Sequence, residues 1–190
     1  MRIFIAVLVL IFSLQSLTKA DDISDFEIEG MSIGDSTLDF FNETEIINND
    51  MKYYKKKKFI TVGFDNHPLL KQYDWLQLSY KRNDKKYIIH SLDGVLSFDN
   101  NYKACLKKKK EIVHEVKNML DMDSDDYGGD HPQDTSGKSV FKTSEWILGK
   151  DHLIVQCIDW SKEMEKLYFD HLKVWVGTSE FYDWVQNNPY

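Results

Sequence analysis

Hydrophobic and polar positions recur along this chain with two different periods. Between residues 101 and 120 the apolar positions are three or four residues apart, which predicts one long helix with Asn100 or Asn101 as its N-terminal cap. Elsewhere apolar and polar residues alternate, as is typical of half-buried β-strands. The strands predicted in this way are residues 59–64, 74–81, 86–92, 95–98, 139–148, 152–159 and 170–177.

The order of these elements predicts an α+β fold, in which antiparallel β meanders carry the long helix on one face. A short helix is predicted over residues 36–41, and a last one after Thr178 or Ser179. If residues 86–92 and 95–98 are counted as one interrupted strand, the order is a helix followed by three strands, twice, so a duplicated unit is one interpretation. Its halves would be residues 21–99 and 100–190, although no residue-level repeat supports the duplication.

Two segments are predicted to interrupt the regular structure. Asp93 and Gly94 are expected to form a sharp turn or a bulge between two strands. Residues 121–138 read DMDSDDYGGDHPQDTSGK, a composition that predicts an irregular loop. The aspartates of this loop crowd together, but an EF-hand needs glycine at its sixth position and glutamate at its twelfth, where this loop has Asp126 and Pro132. A solvated loop is the simpler interpretation, and a weak cation or small-ligand site is the alternative.

The first 20 residues are predicted to be a cleaved secretory signal peptide. Arg2 precedes a run of about twelve mostly apolar residues, and Thr18 and Ala20 place small side chains before the cut. An uncleaved anchor is the alternative, although an ordinary membrane-spanning helix needs about twenty apolar residues. Residues 21–190 are then expected to be a single α+β domain, soluble and either periplasmic or secreted, without a later membrane span.

The charge of the mature chain argues against one class of partner. Removing Arg2 and Lys19 from the 24 basic residues leaves 22 against 31 acidic ones, a formal charge of −9. Nucleic-acid binders need a basic surface for the phosphates, so no nucleic-acid partner is expected. The lysine run at residues 55–58 is interpreted as charged protection of a neighbouring strand edge against pairing with other chains. The run at residues 107–110 is interpreted as the solvated face of the long helix.

Both cysteines lie at positions predicted to be buried. Cys105 is on the apolar face of the long helix, and Cys157 shares one side of its strand with Leu153 and Val155. Exported proteins commonly contain disulfides, so a Cys105–Cys157 bridge between helix and sheet is predicted, with two buried free thiols as the alternative. The apolar surroundings argue against catalysis by either cysteine.

The GDS triplet that ends at Ser36 is similar to the nucleophile turn of GDSL-type hydrolases. That turn follows a buried strand, whereas residues 29–33 are interrupted by glycine. The hydrolases also need Asp-x-x-His near the C-terminus, and here Tyr168 stands three residues before His171. The letters STLD from Ser36 match a helix cap, which is our interpretation. A hydrolase that uses distant residues, such as Ser36 or His131, is the alternative.

Aromatic residues are the remaining candidates for a binding surface. Trp75 alternates with Leu76 and Leu78, so some aromatic rings are expected on the sheet face opposite the long helix. That face is either a binding surface or a second core layer under loops. No pattern assigns a catalytic, cofactor-binding or metal-binding residue. The leading hypothesis is a non-enzymatic periplasmic module that binds a protein or envelope component; a small hydrolase and a cation or small-ligand binder are the alternatives.

Four stretches carry a resemblance to known proteins. DISDFEIEGMSIGDSTLDFF, YIIHSLDGVLSFDNNYKAC, HPQDTSGKS and VQCIDWS resemble a group of short, uncharacterised signal-peptide proteins from AT-rich marine bacteria, which implies export and no particular activity. The predicted order of elements is similar to the tandem repeats of the beta-lactamase inhibitory protein and of small outer-membrane assembly lipoproteins. The residue directly after the predicted cleavage site is Asp21 and not a cysteine, so the resemblance does not extend to the lipid anchor.

Overall fold

The structure, a computed structural model, describes residues 22–54 and 58–188. The predicted signal peptide and most of the first lysine run lie outside these residues. The strands are β1 Phe59–Asp65, β2 Trp75–Lys81, β3 Ile89–Ser97, β4 Asp125–Asp130, β5 Val140–Leu148, β6 Asp151–Asp159 and β7 His171–Gly177, and the α-helices are α1 Glu43–Asn48, α2 Tyr102–Leu120 and α3 Ser179–Gln186. All seven strands form one antiparallel sheet in the order β1-β2-β3-β7-β6-β5-β4, which confirms the α+β prediction.

Two meanders, β1 to β3 and β4 to β7, join through the pairing of β3 with β7. The second meander has four strands, so the predicted repeat of a helix and three strands is wrong in its second half. The additional strand, β4, lies inside the segment that the sequence predicted to be irregular. Its six residues are all exposed at the sheet edge, where backbone pairing with β5 forms a strand without an apolar alternation.

The predicted turn at Asp93 and Gly94 is also wrong, because β3 runs through both residues without interruption. Gly94 serves a close approach instead: a Cβ at this position would lie 2.7 Å from the ring of Tyr73. The alternation of the strand then places Asp93 on the opposite face of the sheet.

One face of the sheet, called here the first face, packs against the main hydrophobic core. Leu78, Leu92 and Val174 are among its buried side chains. Helix α2 packs on the β6 and β7 part of the sheet, because its apolar stripe includes the buried Ile112 and Val116. The amino-terminal residues complete this core with other buried side chains: Ile23, Phe26, Ile28, Met31, Ile33 and Phe41.

Cys105 of α2 and Cys157 of β6 lie at bonding distance, with 2.00 Å between their Sγ atoms and 6.0 Å between their Cα atoms. Both are buried in the first-face core, as the two apolar patterns predict. The pair ties the long helix to the middle of the sheet.

Ser36 caps a short 3-10 turn, Thr37–Asp39, rather than a continuous helix over residues 36–41. Its Oγ accepts a hydrogen bond from the Leu38 amide at 3.2 Å and donates one to the Lys86 carbonyl at 2.6 Å. The predicted capping role is therefore confirmed, and the second bond ties the turn to the chain just before β3.

We expect Ser36→Ala to lower the free energy of unfolding by about 1 kcal/mol, because the capping bond disappears. Urea denaturation of the mature protein measures the change. Ser36→Asn is the matched variant, since asparagine is an equally good cap, and it should recover most of the loss. Equal stability of the alanine variant and the wild type would contradict the capping role.

Candidate functional site

The face of the sheet opposite α2, called here the second face, has polar side chains across its middle. Five residues from five adjacent strands form this polar floor: Gln77 of β2, Asp93 of β3, Lys173 of β7, Gln156 of β6 and Thr143 of β5. Gln77 lies opposite Asp93 in the sheet register, and Gln156 lies between Lys173 and Thr143. Between β3 and β7, Asp93 pairs with Trp175 and Lys173 with Val95, so Asp93 and Lys173 are diagonal neighbours. The sequence therefore brings together side chains that are far apart in the chain.

The two glutamines of the polar floor each use one amide hydrogen within the protein. Gln77 Nε2 donates to the hydroxyl of Tyr53 at 3.1 Å, and Gln156 Nε2 donates to Thr143 Oγ1 at 2.9 Å. These bonds fix the orientation of both amides. Both glutamines are half-buried, and each carbonyl oxygen remains an acceptor that uses no donor among the described residues.

The two charged groups of the polar floor have no such partners. Asp93 is only 9% exposed, and its carboxylate accepts no hydrogen bond from the residues that the structure describes. Lys173 likewise has no hydrogen bond or close ion pair within residues 22–54 and 58–188, although its charge acts on Asp93. Burial raises the pKa of Asp93 to about 6, and the charge of Lys173 opposes this rise. A buried carboxyl without hydrogen bonds destabilises a fold, which marks Asp93 as a functional candidate.

Helix α3 covers one end of the second face and forms an aromatic wall there. The Trp175 ring lies across Gly177, where a Cβ would be 2.4 Å from the ring, and its Nε1 donates to Ser91 Oγ at 2.9 Å. Phe181 of α3 is buried over this ring, and Tyr54 meets Trp184 edge to face, with 4.7 Å between ring centroids. This part of the second face is a second core layer.

The start of α3 is also held by charge. Lys58 and Lys81 lie 3.0 and 2.7 Å from the two carboxylate oxygens of Glu180. These two lysines lower the pKa of Glu180 to about 2. All three side chains are partly exposed, so the pairs orient the helix more than they stabilise it.

A second aromatic wall stands at the other end of the second face, so the polar floor lies between this wall and α3. Phe169 stacks on Trp75 with 6.0 Å between centroids, and Tyr168 stacks on Trp160 at 4.6 Å. His131 lies on the other side of this cluster, 4.3 Å from the Trp160 ring. The Tyr168 side chain is 41% exposed, so this wall faces solvent above the floor.

The histidines of this wall are not arranged as a base for Ser36. Burial lowers the pKa of His131 and lowers that of His171 to about 4, so both are neutral near pH 7. Ser36 bonds only backbone groups, and no hydrogen bond joins it to a histidine in the described part of the chain. The geometry therefore does not show Ser36 as an activated nucleophile.

Two of the six aspartates of residues 121–138, Asp126 and Asp134, are hydrogen-bonded to serines, and Asp123 pairs with Lys117. Asp126 accepts from Ser144 Oγ, and Asp134 accepts from Ser139 Oγ at 2.6 Å and from its amide at 3.1 Å. These hydrogen bonds hold the pKa of Asp134 well below its usual range. Over residues 22–54 and 58–188, no three His, Cys, Asp or Glu side chains converge as metal ligands. This segment is therefore organised around serine contacts.

A shallow cavity of about 420 Å³ lies beside the end of β6. Lys162 bonds both Asn100 and Glu165 there, and burial together with the nearby Asp170 carboxylate raises the pKa of Asp159. Asp170 in turn accepts from the backbone amides of Trp160 and Asn100. Because these groups already interact with one another, the cavity has fewer polar groups available to a ligand than the polar floor has.

A carboxylate–imidazole pair near the β4 edge escaped the sequence analysis. His152 Nδ1 lies 2.8 Å from Glu145 Oε1, and the Tyr127 hydroxyl donates to Glu145 Oε2 at 3.0 Å. Tyr182 stacks on the His152 ring at 3.9 Å and covers it. The pair therefore joins α3 to the sheet. Glu145 and Ile147 lie on the same face of β5, and His152 follows at the start of the next strand, β6. This strand pattern is the sequence signal from which the pair can be found.

Asp93 is the other residue that sequence reasoning missed. Its neighbours Ser91 and Val95 continue the strand alternation, and that signal was outweighed by the turn preference of Asp-Gly. Trp75, by contrast, lies on the second face as predicted.

No protein-family model, curated protein or solved structure matches this chain. Among the described residues, none of the helices has both the length and the apolar character needed to cross a bilayer. The chemistry of the second face must therefore carry any functional argument.

Proposed function

We propose that the protein is a non-enzymatic binding module of the periplasm or the extracellular space, which binds an envelope component on its second sheet face. The observation that carries this proposal is the pair of opposite charges, Asp93 and Lys173, which interact with each other only through their charges, have no hydrogen bond or close ion pair among the described residues, and lie between two aromatic walls. Cys105 and Cys157 at bonding distance favour an oxidising compartment.

A purely structural role does not explain Asp93. A buried carboxylate that accepts no hydrogen bond lowers stability, and an apolar residue in the same strand position would avoid that penalty. Proteins retain such groups mainly where function needs them. The first face, where folding alone sets the requirements, has an apolar core at the matching positions.

A binding role is favoured over catalysis by the way the reactive groups are used. The Glu145–His152 pair lies under Tyr182, and Ser36 bonds backbone groups. The polar floor itself presents acceptors and one ammonium group, without a nucleophile beside a base. Such a set can hold a ligand by hydrogen bonds.

We expect mature protein to sediment with isolated cell envelopes and Asp93→Asn or Lys173→Gln to weaken that binding about tenfold or more. A hydrogen bond to a charged group contributes about 1.5–3 kcal/mol, which corresponds to this range. Quantifying the protein that remains in the supernatant gives the affinity. Lys107→Gln, on the exposed side of α2, is the matched control. Absence of sedimentation, or equal binding by all variants, would contradict the proposal.

A further inference from the structure

We infer that the ligand of the second face is a neutral oligosaccharide chain, held by the polar floor and flanked by the aromatic walls. This inference rests on the proposed function and specifies its ligand. Four features carry it: the length of the floor, its charge balance, the bonding capacity of its side chains and the shortage of exposed apolar surface.

The length of the floor favours an extended ligand. Its accessible part runs over four adjacent strands, from Gln77 on β2 to Gln156 on β6, whereas Thr143 on β5 is buried beneath Gln156 at 1% exposure. Neighbouring strands are about 4.8 Å apart, so this accessible part of the floor is about 14 Å long. Several linked sugar rings fit this length, whereas a single small metabolite would leave most of it in contact with water.

The charge balance of the floor favours a neutral ligand. Asp93 provides one carboxyl group and Lys173 one ammonium group, and the other members, Gln77, Gln156 and Thr143, are uncharged. A polyanion would meet Asp93 in a chain whose formal charge is already −7 before signal removal. A polycation would meet Lys173 at the centre of the floor. An uncharged ligand avoids both repulsions.

The bonding capacity matches hydroxyl groups. Asp93 and the two glutamine carbonyls are acceptors, while the ammonium of Lys173 is a donor. A sugar hydroxyl both donates and accepts, so neighbouring hydroxyls can satisfy both kinds of group. The apolar C–H faces of the sugar rings can lie against aromatic rings such as that of Tyr168, which is 41% exposed.

The same surface is poorly suited to a protein partner. Stable protein interfaces bury about 1,200–2,000 Å² and have an apolar centre. Here polar side chains cross the middle of the face, and exposed apolar side chains lie at its margins: Tyr127 and Ile147 toward the β4 and β5 edge, and Tyr168 in the second aromatic wall. A glycan does not need an apolar centre, because its hydroxyl groups can bond the polar floor while the apolar faces of its rings pack against the aromatic walls.

The test repeats the sedimentation experiment on envelopes treated in three ways. One portion is oxidised with periodate, which cleaves vicinal diols, and is then reduced with borohydride and washed. The second is digested with protease, and the third is extracted with organic solvent to remove lipids. We expect periodate to reduce binding at least tenfold, and the other two treatments to leave it within twofold of the untreated sample.

Neutral oligosaccharides released from the same envelopes provide the second arm. We expect them to compete for the wild-type protein, and Asp93→Asn and Lys173→Gln to bind them at least tenfold more weakly, with Lys107→Gln unchanged. Binding lost after protease or solvent but kept after periodate would overturn the glycan inference and leave the proposed function standing. Failure to sediment with untreated envelopes would overturn both.

Discussion

Removal of the Cys105–Cys157 bridge is expected to lower the free energy of unfolding by about 4 kcal/mol. The two cysteines are separated by 52 residues, so the bridge closes a long loop. In the chain-entropy model, a loop of this length removes many conformations from the unfolded chain and thereby raises stability. The doubly substituted variant Cys105→Ala, Cys157→Ala tests this expectation.

Guanidinium denaturation of the mature protein, with and without a thiol reductant, measures the effect. The wild type should lose about 4 kcal/mol when reduced under denaturing conditions, and the double variant should be indifferent to reductant. Each single variant should match the double variant within about 1 kcal/mol, because either substitution breaks the same bond. A wild type whose midpoint does not respond to reductant would show that the bridge contributes nothing to stability.

The position of this bridge explains why so large an effect is expected. It joins α2 to β6, and the same contact surface includes Ile112 and Val116 of the helix. Without the bridge, the helix is held to the sheet mainly by this apolar stripe. Loss of the bridge should therefore also increase hydrogen exchange in α2 before global unfolding.

The elements predicted correctly from the sequence are those with strong periodic burial. Helix α2 and strand β6 bury apolar residues mainly on one face, so the pattern of apolar residues follows directly from the packing. Strand β4 has no buried face, and only backbone bonds to β5 define it. Local residue preferences therefore predicted a loop where long-range pairing makes a strand.

The candidate site was less accessible to prediction than the fold. Trp75 and Leu76 are consecutive strand residues on opposite faces of the sheet, and this alternation was enough to predict aromatic rings on the second face. The polar floor, however, depends on the pairing of β3 with β7, which joins residues about 80 positions apart. Tyr53, which bonds Gln77, comes from an irregular segment without any periodicity. Neither contact leaves a local signal in the sequence.

Asp93 connects the proposed function with a second effect on stability. Burial raises its pKa to about 6 in the folded protein, above the value near 4 that an aspartate has in an unfolded chain. Between these pH values the folded state binds more protons than the unfolded state. The contribution of Asp93 to the free energy of unfolding therefore falls as the pH rises from about 4 to about 6, and stays low above that.

We expect Asp93→Asn to be more stable than the wild type at pH 8 by up to about 3 kcal/mol, because the difference of about two between the pKa values corresponds to that free energy. At pH 4 the two proteins should be similar. Urea denaturation at several pH values between 4 and 8 measures the difference. Asp65→Asn, at an exposed position of β1 on the same face of the sheet, is the matched control.

The two effects of the Asp93→Asn variant have opposite signs, and this makes the combination informative. A group kept for folding should lose stability when it is neutralised, whereas a group kept for binding should gain stability and lose affinity. A variant that is less stable than the wild type at pH 8 would mean that the carboxylate has a stabilising partner. A variant that is more stable and binds envelopes less well would tie the penalty of the buried carboxylate to recognition on the second face.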